Sequence, residues 1–135
     1  MKYLIVYVIA LVVFGAMDAV WLGWAARDLY RGAIGEIMAK PFDAKIALAF
    51  YLIYIAGLVF FGMQPGMAGD DWRLALIYGG LFGFFCYATY DLTNAATLAA
   101  FPLRLALVDM TWGTFVSAAT SGITVILARL ILRSF

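Results

Sequence analysis

Apolar residues run almost unbroken through four segments of the chain: about Tyr3 to Ala26, Ile46 to Met63, Leu74 to Leu98 and Leu103 to Ala128. Crossing about 30 Å of hydrocarbon at 1.5 Å per residue takes roughly 20 helical residues, and each segment approaches or exceeds that. Lipid offers the backbone no hydrogen-bonding partner, so segments of this kind are predicted to be helices. None shows the two-residue alternation, sustained over about ten residues, of a transmembrane strand. The expected fold is all-α: an integral membrane four-helix bundle, with residues 1–135 as a single membrane domain. Lys2 ahead of an apolar run also suits a signal peptide, but the run continues past Phe14 without a small-x-small cleavage site. A retained first helix is therefore the expectation.

Polar residues punctuate these segments. Gln64-Pro65-Gly66 is expected to end the second helix, Asp70-Asp71-Trp72 to start the third, and Pro102 to sit in the first turn of the fourth. The longest connection, Arg27 to Lys45, places Tyr30, Ile34, Ile37 and Met38 at helical spacing among Arg31, Glu36 and Lys40. A short interfacial helix, its apolar side turned from water and closed by Pro41, satisfies both sets; a solvated loop is the alternative. With four helices both termini share a side. Lys2, Arg73, Arg129 and Arg133 then lie opposite Arg27, Arg31, Lys40, Lys45 and Arg104, a balance too even to orient the chain.

Small residues recur every fourth position at Gly15, Ala19 and Gly23, at Gly79 and Gly83, and at Gly113, Ser117 and Ser121. Such stripes let helix backbones approach closely, which in lipid matters more than hydrophobicity. They fit a compact bundle or a homo-oligomer.

Composition narrows the chemistry. A hydrophobic fraction of 67% with 13% charged residues is far from a soluble domain and makes membrane lipids the expected surroundings. A net charge of +1 provides no basic patch for nucleic acid. Histidine is absent and Cys86 is the one cysteine, which argues against zinc and histidine-ligated haem; no metal or other cofactor is expected. Nothing near Cys86 in sequence favours a thiolate, so it reads as a small core residue.

Three acids interrupt the apolar segments. Asp18 lies nine residues before Arg27, Asp91 seven before Leu98, and Asp109 seven after Pro102. At 1.5 Å per residue all three sit roughly 10–14 Å inside the same membrane face. Asn94 and Tyr87 flank Asp91 by one turn, Trp21 follows Asp18, and Trp112 follows Asp109. Tyr51 and Tyr54 on the second helix, with Thr89, Thr93 and Thr111, share the layer. Trp24 and Trp72 read as interfacial anchors, and Arg27 and Arg104 as side chains reaching the headgroups. A carboxylate facing lipid costs at least about 2.5–3.5 kcal/mol, so the acids are expected to face the interior.

Three functional readings follow. The first is an interior polar pocket that binds a small molecule or a lipid headgroup, with proton coupling; Asp18, Asp91, Asn94, Asp109, Trp21, Trp112, Tyr51, Tyr54 and Tyr87 would form it. The second is an enzyme, or accessory subunit, of membrane lipid or isoprenoid modification, with an Asp as general acid or base. The third is a structural subunit whose polar groups only fix helix register.

Three segments carry a resemblance: Met17-Asp18-Ala19-Val20-Trp21-Leu22 with Arg27-Asp28-Leu29-Tyr30, the run from Tyr87 to Leu98, and Val108 to Thr114. Together they resemble the bacterial membrane family catalogued as domain of unknown function 2177. The resemblance spans nearly the whole chain and implies a small multi-pass, four-helix protein of the bacterial inner membrane. It brings no activity and no assigned residues with it.

Overall fold

Helix α1 (Lys2–Val20) passes into a π-helical turn, Trp21–Ala25, and α2 (Arg27–Ile34) follows. Helix α3 (Ala44–Gly57) continues through a second π-helical turn, Leu58–Met63, into α4 (Gln64–Ala68); α5 (Trp72–Thr97) and α6 (Leu103–Leu132) complete the order. The structure is a computed structural model that describes residues 1–25, 27–35 and 43–133. Every regular element among the described residues is helical. Among the described residues, three helices are long and apolar enough to cross a membrane: Lys2–Trp24, Ala44–Ala68 and Leu103–Leu132. Helix α5 is also long, at 26 residues, but Tyr78, Tyr87, Tyr90, Asp91 and Asn94 lower its hydropathy.

The expected break at Gln64-Pro65-Gly66 is not a break. Proline removes an N–H and crowds the carbonyl four residues earlier, which ordinarily ends a helix. Here the π-turn widens the preceding backbone, and the Gln64 N–H bonds Val59 O instead. Pro65 then falls in the first turn of α4, where it is tolerated. True termination comes at Gly69 and at Asp70, whose φ of 51° is left-handed. The Asp71 side chain caps α5 by accepting from the Arg73 N–H at 2.9 Å. Pro102 sits one position earlier than expected, as the N-cap of α6.

Helices α5 and α6 form the most intimate pair, and the small residues explain it. A methyl group on Gly79 or Gly83 would collide with Ser121 or Ser117, and one on Gly113 with the Tyr87 ring. The stripe on α1 behaves differently. Nothing lies within 4 Å of a Cβ placed on Gly15 or Gly23, so the expected close approach there is absent among the described residues. Helix α1 packs instead through Val6, Ala10 and Phe14, which join Ile55, Leu58, Met63 and Val116 in the core. At the end of the bundle near the termini, Arg129 Nε donates to Asp70 Oδ1 at 2.8 Å, tying α6 to the α4–α5 turn.

The connection after α1 holds the short helix α2. Leu29, Tyr30, Ala33 and Ile34 pack on Phe101, Leu105 and Ala106. Ile37 and Met38, expected on the same face, lie outside the described residues, as do Glu36, Lys40 and Pro41.

Candidate functional site

Asp18 on α1, Asp91 on α5 and Asp109 on α6 are all buried, with relative exposures of 7%, 0% and 7%. The hydrogen-bond partners of Asp18 and Asp109 come from α2, α3 and α6. Tyr51 on α3 donates its hydroxyl to Asp18 Oδ2. Trp112 on α6 donates its indole N–H to Asp18 Oδ1 at 3.1 Å. The Trp112 ring lies flat on Trp21, with centroids 4.6 Å apart. Trp21 Nε1 in turn points at the Tyr30 hydroxyl, 3.5 Å away, and that hydroxyl donates to Asp109 Oδ1. Asp109 is a near neighbour of Asp91. A continuous polar and aromatic connection thus runs from Tyr51 through Asp18, Trp112, Trp21 and Tyr30 to Asp109, with Asp91 beside its end.

Tyr30 is the member that sequence reasoning placed on an apolar face. Its ring does pack there, but its hydroxyl passes beyond the apolar cluster to Asp109. Burial, then the neighbouring Asp109 charge and the bond to it, push the Tyr30 phenol well above its ordinary value of 10.0. The signal available in the sequence was its spacing nine residues after Trp21; no rule of helix periodicity reaches across the π-turn that aims α2 back at the bundle.

Other expected members divide. Tyr54 meets Ser117 Oγ at 2.6 Å rather than an acid. Its ring stands edge-on to Tyr87, with centroids 6.1 Å apart. Thr89 and Thr111 spend their hydroxyls on carbonyls of their own helices, at 2.7 Å to Phe85 O and 2.8 Å to Leu107 O. Thr93 does the same toward Tyr90 O at 3.0 Å. These three are exposed and stay out of the layer because a helical threonine reaches its own preceding turn more readily than a neighbouring helix. Asn94 is half-buried, one turn beyond Asp91. Arg27 and Arg104 are exposed, and Arg27 approaches Asp28 at 3.9 Å. Among the described residues, ion pairs join Arg27 to Asp28 and Arg129 to Asp70, and none involves the three buried acids.

A cavity of about 320 Å³ opens beside this layer, lined by Phe50, Tyr54, Cys86, Tyr87, Tyr90 and Asp109. It lies between α3 and α5. Helix α5 packs chiefly on α6 and meets the α3–α4 rod mainly at the π-turn Leu58–Met63, so α3 and α5 part toward the Arg27 end. Both oxygens of Asp91 are buried without a hydrogen-bond partner among the described residues. The Thr120, Ser121 and Thr124 hydroxyls of α6 are likewise unpaired among the described residues, but Asp91 is the carboxyl in that set, and its desolvation costs the most. No group of His, Cys, Asp and Glu suited to a metal occurs among the described residues.

Apolar helices long enough to cross a membrane, folded around buried carboxyls, define a multi-pass α-helical membrane protein. A family model described as a predicted membrane protein, DUF2177, matches residues 3–126, and the chain belongs to that family. No curated protein matches the chain. No solved structure matches it either.

Proposed function

We propose that this is a four-helix protein of the bacterial inner membrane, α5 being the fourth crossing, that binds a small molecule or lipid headgroup in an interior polar pocket. Proton exchange at the Asp91–Asp109 pair accompanies binding. At 1.5 Å per residue the 26 residues of α5 extend about 39 Å, ample for a crossing. The observation that carries the reading is Asp91. Unpaired hydroxyls such as Thr120 and Thr124 are tolerable in a packing network, whereas an unpaired carboxyl is far more costly. Here a fully buried carboxyl has no donor among the described residues, and a proton shared with Asp109 would supply one. Asp109 in turn lines a cavity large enough for several heavy atoms. Polar groups converging on a largely apolar cavity are the usual form of a small-molecule site.

Native mass spectrometry of the protein released from lipid nanodiscs tests this. The wild type is expected to retain a bound small molecule or lipid that Asp109→Asn releases, with the helical circular dichroism of both proteins alike. Identical occupancy in the two proteins, or none in either, would remove the pocket and leave the membrane fold.

A further inference from the structure

The charge balance of the pocket narrows what it takes. Three carboxyls are buried in one layer, and among the described residues no lysine or arginine pairs with any of them. Two of the three are supplied from within: Asp18 receives Tyr51 and Trp112, and Asp109 receives Tyr30 on one oxygen. Asp91 receives nothing among the described residues, and Asp109 is the acid that borders the cavity. The other walls are chiefly aromatic: Phe50 and Tyr54 from α3, Tyr87 and Tyr90 from α5. Phe50 and Tyr54 stack at 5.3 Å, and Tyr54 stands edge-on to Tyr87, so the rings form a continuous wall. A carboxyl set among aromatic rings is the recognition chemistry of ammonium groups, attracted to ring faces as well as to the negative charge. Among the described residues an anion would meet Asp109 and the ring faces, both of which repel it.

The route into the pocket supplies the second half. Phe50 and Tyr90 line the cavity and are 44% and 56% exposed, on helices whose outer faces carry Ile53, Phe84 and Phe85 in the open. The opening between α3 and α5 is therefore lateral, toward acyl chains, and not only axial, toward water. Resting on the pocket proposed above, we infer that the ligand is an amphiphile, an ammonium group on an apolar chain, which enters sideways between α3 and α5 and sets its charge against Asp109.

The experiment titrates purified protein in neutral-detergent micelles with three probes, read by tryptophan fluorescence. The probes are dodecyltrimethylammonium, tetramethylammonium and dodecanol. Dodecyltrimethylammonium is expected to bind saturably, at least tenfold more tightly than either of the others. Asp109→Asn should weaken it by tenfold or more, and Tyr90→Leu, which keeps an apolar wall but removes a ring, by about threefold. Saturable binding of dodecanol equal to that of dodecyltrimethylammonium overturns the ammonium assignment while leaving the pocket in place. Tetramethylammonium binding as tightly as the long-chain cation overturns entry from lipid. Unchanged cation binding in both variants places it elsewhere on the protein and overturns the inference. If no probe binds saturably, while Asp109→Asn still releases a native adduct, the ligand class is wrong and the pocket stands.

Discussion

Trp21 and Trp112 stack face to face, their planes 6° from parallel and their centroids 4.6 Å apart. The pair is more than packing, because each indole N–H points to a different part of the acidic layer: Trp112 to Asp18, Trp21 to Tyr30. The stack thereby couples the end of α1, the start of α2 and the middle of α6.

Stacked indoles at this distance should give an exciton couplet in circular dichroism. Trp112→Phe is expected to abolish the couplet and to remove one donor from Asp18. Interhelical hydrogen bonds in membranes contribute about 0.6 kcal/mol on average and rarely more than about 1.7. A loss of about 1 kcal/mol in unfolding free energy is the expected size. A couplet that survives the substitution would contradict the stack.

The three glycine stripes make separate predictions. Gly83→Ala and Gly113→Ala put a methyl group into Ser117 and the Tyr87 ring, so each should destabilise by about 1–3 kcal/mol through overpacking. Gly15→Ala meets open space and should change stability by no more than about 0.5 kcal/mol. Equilibrium unfolding in mixed micelles measures all three. Equal effects at Gly15 and Gly83 would mean that the α5–α6 contact is not the tight one.

Tyr30 ties α2 to the bundle through a phenol held above its ordinary value by burial and by Asp109. The sign follows from linkage. The docked state holds this proton more tightly than the undocked one, so docking is fully favoured below about pH 10 and weakens as pH rises beyond it. Tyrosinate absorbance of the wild type minus that of Tyr30→Phe should show Tyr30 ionising only above the range of exposed tyrosines. Ionisation of Tyr30 together with the exposed tyrosines would break the link to Asp109.

Much of this arrangement was legible in the residues, and the misses have physical causes. Segment length and apolarity revealed the helices, because lipid forces backbone groups to pair within a segment. Counting 1.5 Å steps from the helix ends gave similar depths for Asp18, Asp91 and Asp109, and all three are buried. Depth carries no azimuth, however. It could not tell that Tyr51 rather than Tyr54 would reach Asp18, or that Gly15 would face away from the core. The two π-turns were invisible to a period of 3.6 residues. One carries the helix through Pro65, and the other precedes α2, whose Tyr30 reaches Asp109.

Asp91 and Asp109 are the buried carboxyls on which the proposed site rests, with access from the lipid between α3 and α5 and a proton shared between them as its proposed properties. Dicyclohexylcarbodiimide, which is lipid-soluble and reacts with protonated carboxyls in apolar surroundings, tests all parts of it at once. Peptide mass spectrometry after treatment in nanodiscs should find the adduct at Asp91 or Asp109 and not at Asp18, whose two oxygens are already occupied by Tyr51 and Trp112. A water-soluble carbodiimide should instead mark exposed acids such as Asp28 and Asp43. Asp91→Asn should sharply reduce the lipid-soluble reaction at Asp109 by removing the shared proton. Absence of any adduct at Asp91 and Asp109, or a reaction at Asp109 that ignores Asp91→Asn, would contradict the account.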